Sequence, residues 1–182
     1  MSRPAIFLDR DGTIVEEVNY LHKPEETVLF PSTVGALRSL QRAGYALVVV
    51  TNQSGIGRGI YTTEDMDRVH DVIQSQLGGL IDGFYHCPHL PCDDCECRKP
   101  GLKMIRDAER DLDLELSRSW FIGDKKIDVE AGKAAGMGTA LVLTGYGEAH
   151  RHSLVSPPDI VAADLGGAAE EILRSSAAEI VV

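Results

Sequence analysis

The chain has 182 residues, of which 43% are apolar and 25% charged, and its formal net charge is −10. This composition is typical of a folded globular protein and excludes an intrinsically disordered chain. No run reaches the roughly 18 apolar residues of a membrane-spanning helix, and the first apolar run is too short for a signal peptide. The acidic charge argues against a general nucleic-acid-binding protein, which would carry a basic face.

Short runs that are apolar on both faces alternate along the chain with amphipathic segments of helical spacing. In chain order, the pattern predicts a strand at 5–8, a helix at 34–43, a strand at 46–50, a helix at 63–77, a helix at 104–112 with Leu116 as an optional end, a strand at 120–122, a helix at 129–135, strands at 139–143 and 159–162, and a helix at 165–173. Thr62 and Asp65 predict the N-terminal cap of the second helix, and Gly136 closes the fourth.

This alternation predicts an α/β fold built on a doubly wound, mainly parallel sheet. We expect residues 1–182 to form one domain, with 144–158 as a loop and 176–182 as a loosely held tail. In such sheets the ligand site lies at the carboxyl ends of the strands. Asp9, Thr51 and Asp124 each follow a well-defined strand, so we expect these three residues to converge.

Two carboxylates follow the first strand in the motif Asp9-Arg10-Asp11-Gly12-Thr13. At positions i and i+2 of a turn they can face one site, and Gly12 lets the backbone bend. Asp9 can then attack an electrophile and form an acyl phosphate, while Asp11 protonates the leaving oxygen and later activates water. The alternative interpretation is an ordinary Asp-Gly turn at the end of a strand.

A second pair of carboxylates, Asp124 and Asp128, lies at the start of a predicted helix. Four carboxylates within about 6 Å repel by roughly 3 kcal/mol per pair at an effective dielectric near 20, so their convergence with the first pair requires a cation. Oxygen ligands with room for phosphate suit Mg²⁺. The predicted ligands are Asp9, Asp124 and the backbone carbonyl of Asp11, with Asp128 as a further candidate through water. Alternatively, the second pair only caps its helix.

Candidate phosphate-binding groups follow the second strand and precede the third helix. Thr51 and the backbone N–H groups after it can hold phosphate oxygens. Lys99 can offset the charge shared by a carboxylate and a phosphate, and Arg98 can clamp a second phosphate with two hydrogen bonds. Taken alone, Thr51 is an ordinary residue at a strand end, and the basic pair is a solvated surface.

The four cysteines lie within eleven residues and follow no secretory signal, which predicts metal binding in a reducing compartment, the cytoplasm. Three thiols and an imidazole suit a closed, tetrahedral, structural Zn²⁺ site, although iron is a further candidate metal. The predicted ligands are Cys87, His89, Cys95 and Cys97. A site that uses Cys92 and leaves His89 free is the alternative. Zinc would order the loop 87–97 and orient Arg98 and Lys99.

In this order and on these elements, D-x-D-G-T, Thr51, Lys99 and G-D-x-x-x-D resemble the haloacid-dehalogenase-like phosphatase superfamily over roughly residues 4–147. The resemblance implies a Rossmann-like fold, Mg²⁺ dependence and an aspartyl-phosphate intermediate. It implies Asp9 as the nucleophile, Asp11 as the general acid and base, and Thr51 and Lys99 as groups that stabilise the phosphoryl group. No segment is long enough for a separate cap domain, so loops must close the site over a small substrate.

Together with the Cys-His cluster, these motifs resemble the zinc-containing, histidinol-phosphatase-like subgroup, and most closely its heptose bisphosphate phosphatases. The segments 51–59, 18–21 and 143–147 carry this second resemblance. It implies a phosphomonoesterase that removes the 7-phosphate of D-glycero-D-manno-heptose 1,7-bisphosphate. The segment 100–104 is shorter than is usual in the heptose enzymes. The resemblance therefore does not extend to the contacts of this loop with the sugar.

The substrate-binding residues implied by the resemblance are Glu17, Val18, Asn19, Tyr20, Asn52, Gln53, Ser54 and Arg98. Arg58, in a Gly-rich loop, either contacts a distal phosphate or is a solvated loop residue. We expect a monomer whose partner is a small phosphorylated sugar, with no nucleic-acid or membrane partner. The alternatives are a histidinol-phosphate phosphatase and a non-catalytic, zinc-stabilised binding module.

Overall fold

The computed structural model of the chain describes residues 2–179. The strands are β1 (Ala5–Leu8), β2 (Ala46–Asn52), β3 (Gly83–Cys87), β4 (Trp120–Gly123), β5 (Gly138–Val142) and β6 (Ile160–Ala162). The α-helices are α1 (Thr33–Arg42), α2 (Ser54–Gly57), α3 (Thr63–Leu77), α4 (Lys103–Leu112), α5 (Lys126–Ala134), α6 (Gly147–His150) and α7 (Leu165–Glu179). Short 3₁₀ turns occupy Pro24–Glu26 and Leu116–Arg118.

The six strands form one sheet in the order β3-β2-β1-β4-β5-β6, and all neighbouring strands are parallel. This is the doubly wound arrangement that the alternation of strands and helices predicts. The strand order reverses direction between β1 and β4, which opens a crevice at their carboxyl ends. Asp9 and Asp124 directly follow these two strands, so the fold itself brings them to the crevice.

Helices cover both faces of the sheet and bury a hydrophobic core on each side. On β1, the side chains of Ile6 and Leu8 pack with those of α1, α3 and α7, whereas Phe7 packs on the opposite face with those of α4 and α5. Burial on both faces explains why the central strands are continuous apolar runs. Within residues 2–179, none of the helices combines the length and the apolarity that crossing a membrane requires.

The sequence analysis predicted no strand at 83–87, and this was wrong. β3 lies at the edge of the sheet, and four of its five residues are only partly buried, so it lacks the apolar run of a central strand. Its register pairs His86 with Thr51 and Cys87 with Asn52. The edge strand therefore delivers the start of the Cys-His loop directly beside the end of β2.

Several element boundaries differ by a few residues from the sequence prediction. α3 begins after the predicted capping box of Thr62 and Asp65. α4 ends at Leu112 because Asp113 adopts a left-handed backbone conformation, with φ of 50°, so the optional end at Leu116 was wrong. α5 begins at Lys126, three residues before the predicted start at 129, since its first turn carries polar residues.

Two segments expected to lack regular structure contain helix. The predicted loop 144–158 includes α6, which packs against β5. The predicted tail 176–182 overlaps the end of α7, where the hydroxyl of Ser176 lies 2.7 Å from that of Tyr45. Residues 180–182 of that tail lie outside the described residues.

Candidate active site

The carboxyl ends of three strands gather the predicted nucleophile and its neighbours at one point. Asp9 follows β1, Thr51 lies near the end of β2 and Asp124 follows β4, and all three side chains are buried. Carboxylate oxygens of Asp9, Asp124 and Asp128 lie within 4.8 Å of one another. The structure thus brings Asp9 and Asp124 together, as the sequence predicts, and places Thr51 near the end of the neighbouring strand.

Lys99 joins two of these carboxylates from the segment that follows the Cys-His loop. Its Nζ lies 2.9 Å from Asp9 Oδ1 and 2.7 Å from Asp128 Oδ1, and it donates a hydrogen bond to the Val50 carbonyl at 2.8 Å. Asp128 is also held by the backbone N–H of Lys125 at 3.0 Å. Asp128 therefore serves as a counter-ion of Lys99, in addition to its predicted place near a metal.

Lys125 is a site residue that the sequence analysis did not single out. Its Nζ lies 3.3 Å from Glu17 Oε2 and 3.7 Å from both Asp9 Oδ2 and Asp124 Oδ1. The ring of Tyr146 lies 5.1 Å from the same ammonium group. The available signal was its position directly after Asp124, at the carboxyl end of a strand. Burial lowers the pKa of Lys125, but the charges of Asp9 and Asp124 outweigh it and raise the pKa above its ordinary value.

The environment separates the pKa values of the three carboxyl groups. Burial raises the pKa of Asp9, but the Lys99 and Lys125 charges outweigh burial and hold it below its ordinary value. Burial, assisted by the Asp9 charge, raises the pKa of Asp124 to about 8. Burial also raises the pKa of Asp128 to about 6, with Lys99 opposing the shift. Asp9 is thus the group kept ionised, as a nucleophile must be.

Asp124 has the features of a metal ligand. Its Oδ1 is buried with no hydrogen-bond partner among the described residues, whereas Oδ2 accepts from the backbone N–H of Tyr146 at 2.9 Å. Gly12 has φ of 83°, and a Cβ there would overlap the Asp124 carboxylate, so glycine permits the close approach of the two loops. Buried carboxylate oxygens that accept no hydrogen bond are the ligands that a hard divalent cation takes, so these residues fit Mg²⁺.

Because Asp124 has a raised pKa, the metal-free protein should lose stability as the pH rises. The folded state retains a proton that the unfolded state releases near pH 4, so this stabilising contribution is complete below about pH 4 and is lost through about pH 8. We expect thermal unfolding without Mg²⁺ to shift down by several degrees between about pH 6 and pH 9. Mg²⁺ should oppose the shift, and Asp124→Asn should flatten it. An unchanged slope in Asp124→Asn would contradict the assignment.

The Asp11 side chain lies apart from the three clustered carboxylates and faces the substrate side. It accepts hydrogen bonds from the Arg10 guanidinium at 3.0–3.2 Å and from Gln53 Nε2 at 2.9 Å. The same Gln53 amide donates to Thr51 Oγ1 at 2.8 Å. This separation agrees with the prediction that Asp11 contacts a metal only through its backbone carbonyl.

A polar pocket opens above the carboxylates, with a volume of about 200 Å³. The lining residues include Asp11, Lys125 and seven of the predicted substrate residues, which are Glu17, Val18, Asn19, Tyr20, Asn52, Gln53 and Ser54. Asn52 also exchanges hydrogen bonds with the backbone of Lys99, at 3.0 and 3.3 Å, which ties the pocket wall to the lysine.

Two predicted or candidate phosphate contacts lie elsewhere. Arg98 is absent from the pocket lining, and its Nη1 donates to the His89 carbonyl at 3.3 Å, which turns the guanidinium toward the Cys-His loop. Arg58 follows α2 as an exposed residue outside the lining. In this conformation neither arginine faces the pocket.

The Cys-His loop brings four potential soft-metal ligands together. His89 Nδ1 lies 3.1 Å from Cys97 Sγ and 3.5 Å from Cys87 Sγ, and Cys95 Sγ lies 3.6 Å from both of these sulfurs. Three thiols and one imidazole at such separations fit a tetrahedral Zn²⁺ site. Cys92 is exposed and lies outside this group, so the geometry favours the ligand set with His89 over the alternative set with Cys92.

Comparison with known proteins identifies relatives that align with most of the chain. Residues 96–168 match the family described as HAD-hydrolase-like. The D-glycero-beta-D-manno-heptose-1,7-bisphosphate 7-phosphatase of Photorhabdus laumondii is 41% identical over 153 residues, which cover 78% of this chain and 81% of that protein. The D-glycero-D-manno-heptose-1,7-bisphosphate 7-phosphatase of Thermosynechococcus vestitus is 37% identical over 191 residues, which cover 94% and 96%.

A solved structure extends the similarity to the whole fold. The crystal structure of the D,D-heptose 1,7-bisphosphate phosphatase from B. bronchiseptica, complexed with magnesium and phosphate, aligns with a TM-score of 0.88 and 33% identity. The alignment covers 94% of this chain and 99% of that one. On this identity and coverage, the chain belongs to the heptose-1,7-bisphosphate 7-phosphatase family of HAD-like hydrolases.

Proposed function

We propose that this protein is a Mg²⁺-dependent phosphomonoesterase that removes the 7-phosphate of D-glycero-D-manno-heptose 1,7-bisphosphate. The observation that carries the proposal is the buried contact of Asp9 with Lys99, beside an Asp124 carboxylate oxygen that accepts no hydrogen bond and next to a polar pocket lined by Lys125. The names of the relatives supply the substrate. The chemistry of the pocket, which mixes carboxylate, ammonium, amide and hydroxyl groups, suits a phosphorylated sugar.

In the proposed reaction, an Asp9 carboxylate oxygen attacks phosphorus and the bond from phosphorus to the sugar oxygen breaks. Asp11 gives its proton to that oxygen as the sugar alcohol leaves. The Asp11 carboxylate then takes a proton from water, whose oxygen attacks the aspartyl phosphate. The bond between phosphorus and Asp9 breaks, inorganic phosphate leaves, and both aspartates return to their starting states.

The remaining polar groups balance the charge of the transferring phosphoryl group. Lys99 contributes a buried positive charge at the nucleophile, and the Thr51 hydroxyl donates to a phosphoryl oxygen. Asp9, Asp124 and the carbonyl of Asp11 would hold Mg²⁺. When bound, Mg²⁺ supplies positive charge that offsets the negative charge of the phosphoryl group and the carboxylates.

We further propose that the pocket residues bind the sugar and that Arg98 binds the retained phosphate after turning away from His89. The pocket residues concerned are Glu17, Val18, Asn19, Tyr20, Asn52, Gln53 and Ser54. A turn of Arg98 exchanges one hydrogen bond to a neutral backbone carbonyl for two parallel bonds to an oppositely charged phosphate, which are stronger. We also propose that residues 1–182 act as one capless domain and as a monomer in the cytoplasm.

We propose that Cys87, His89, Cys95 and Cys97 hold a structural Zn²⁺ that fixes the loop leading to Lys99. Metal analysis of the purified protein is expected to give one zinc per chain. Cys97→Ser should lose the zinc and at least about tenfold in kcat, because the loop would no longer orient Lys99. Cys92→Ser is the matched control and should retain both. Iron in place of zinc, or zinc loss in Cys92→Ser, would contradict the assignment.

The test of the proposed function is kcat/KM for heptose 1,7-bisphosphate and for histidinol phosphate, measured side by side with Mg²⁺. We expect the bisphosphate to be preferred by about 100-fold or more, which corresponds to about 2.7 kcal/mol of transition-state binding. Preference for histidinol phosphate would overturn the substrate while leaving the chemistry in place. Failure to hydrolyse either compound, or an aryl phosphate, would overturn the assignment as an enzyme.

A further inference from the structure

Arg10, the residue between the two aspartates of the first motif, is a buried charge that the reaction outlined above does not use. It is the largest of the fully buried side chains in the described part of the chain, with 1% of its surface exposed. Its only ion-pair partner among the described residues is Asp11. Since a buried ion pair rarely stabilises a fold better than apolar side chains of the same volume, stability alone is a weak explanation for it.

The N–H groups of Arg10 donate hydrogen bonds to the Asp11 carboxylate and to two residues around it. Nη2 donates to Asp11 Oδ1 at 3.0 Å and Nε donates to Oδ2 at 3.1 Å, so the guanidinium contacts both carboxylate oxygens. Nη2 also donates to the Leu21 carbonyl at 3.2 Å and to Gln53 Oε1 at 3.0 Å. A bidentate contact of this kind fixes the rotation of a carboxylate as well as its position.

Gln53 forms a second support for Asp11, and its neighbours fix which end of its amide faces the carboxylate. Gln53 Oε1 accepts from Arg10 and, at 2.5 Å, from the hydroxyl of Tyr61. Arginine can only donate, so this end of the amide must be the oxygen. The Nε2 end therefore faces Asp11 Oδ2, at 2.9 Å, as a donor. Gln53 is 3% exposed, and its Nε2 also donates to Thr51 Oγ1 at 2.8 Å.

His70 completes the enclosure of Arg10 on the side away from Asp11. Its Nε2 lies 3.4 Å from Arg10 Nη1 and must accept, because the guanidinium has no acceptor. Its ring stacks on Phe84 with a centroid distance of 4.5 Å. Burial and, to a smaller extent, the Arg10 charge lower the pKa of His70 to about 3. The ring therefore stays neutral and adds no competing positive charge.

We propose that Arg10 is a positioning residue, which with Gln53 holds the Asp11 carboxyl group in the orientation for proton transfer to and from the reacting oxygens. This inference rests on the proposed function, in which Asp11 is the general acid and base. A proton donor must lie within hydrogen-bond reach of the leaving oxygen, and a displacement of about 1 Å can cost about 100-fold in rate. The contact with Leu21 also ties Asp11 to the wall of the substrate pocket.

The test measures how strongly the rate depends on the leaving group, which reports proton donation independently of sugar binding. kcat/KM is measured for phenyl, 4-nitrophenyl and 2,4-dinitrophenyl phosphate, whose leaving groups need progressively less protonation. For Arg10→Met, we expect phenyl phosphate hydrolysis to fall by about 100-fold and dinitrophenyl phosphate hydrolysis to change by less than about threefold. Asp11→Ala is the reference for complete loss of the acid, and Arg68→Met, in an exposed ion pair on α3, is the matched control.

An equal loss on all three esters in a folded Arg10→Met protein would overturn the proposal, because a structural role affects every substrate alike. If Arg10→Met does not fold, Gln53→Met provides the same test, since it removes a donor to Asp11 while keeping Arg10. Its expected effect is about tenfold on phenyl phosphate, and an equal loss on all esters would again overturn the proposal. If Asp11→Ala itself shows no dependence on the leaving group, the acid role of Asp11 fails as well.

Discussion

Asp9→Asn is expected to lower kcat for heptose 1,7-bisphosphate by at least about a thousandfold, because an amide oxygen cannot form the aspartyl phosphate. The fold should persist, since asparagine fills the same volume and Lys99 keeps its buried ion pair with Asp128. We expect the unfolding free energy to change by no more than about 1 kcal/mol. Steady-state kinetics and chemical denaturation measure the two effects.

The matched control for the nucleophile is Asp107→Asn. Asp107 is a partly exposed residue of α4 in ion pairs with Lys103 and Arg110, and it belongs neither to the carboxylate cluster nor to the pocket lining. Its substitution should leave kcat unchanged. An Asp9→Asn protein that keeps more than about a tenth of the wild-type rate would rule out Asp9 as the nucleophile.

Lys99→Met is expected to affect both stability and activity. Its ammonium group lies between the buried carboxylates of Asp9 and Asp128, at 2.9 and 2.7 Å. Removing it leaves both carboxylates without this cation, and breaking a buried pair in this way costs about 3–5 kcal/mol of unfolding free energy. kcat should fall by about 100- to 1000-fold, since a preorganised charge at the reacting phosphoryl group is lost. Lys103→Met, at an exposed position of α4, is the control.

A second substitution separates these two effects of Lys99. In the Lys99→Met background, Asp128→Asn removes one uncompensated carboxylate and should recover at least about 1 kcal/mol of stability. It should not recover kcat, because the positive charge that Lys99 places beside Asp9 is still missing. Recovery of activity along with stability would show that Lys99 acts only on the fold.

The positions at which the motifs converge follow from local sequence patterns. Asp9, Thr51 and Asp124 each end an apolar run, and parallel strands covered by helices place their carboxyl ends along one edge. The grouping of Cys87, His89, Cys95 and Cys97 was also predictable, because these candidate metal ligands lie within eleven residues of the chain. The edge strand β3 was not predictable in this way, since partial burial gives it no continuous apolar run.

The pairing of charges inside the site was not accessible from the sequence. Arg10 and Lys125 each lie next to a site aspartate in the chain, but the sequence does not show which carboxylates their side chains meet. Arg98 illustrates the converse, because its position beside Lys99 suggests a phosphate contact but its side chain turns to His89. A long side chain selects its partner from groups that only packing brings near.

The class of fold, the two aspartate motifs and the Cys-His cluster follow from the sequence alone, because periodicity and short spacing are local properties of the chain. Which cation meets which carboxylate depends instead on tertiary packing. Lys99 lies ninety positions from Asp9 in the chain, and their 2.9 Å contact depends on β3 pairing with β2 and on the loop that follows it. Interactions over such separations are set by the packing of the whole sheet.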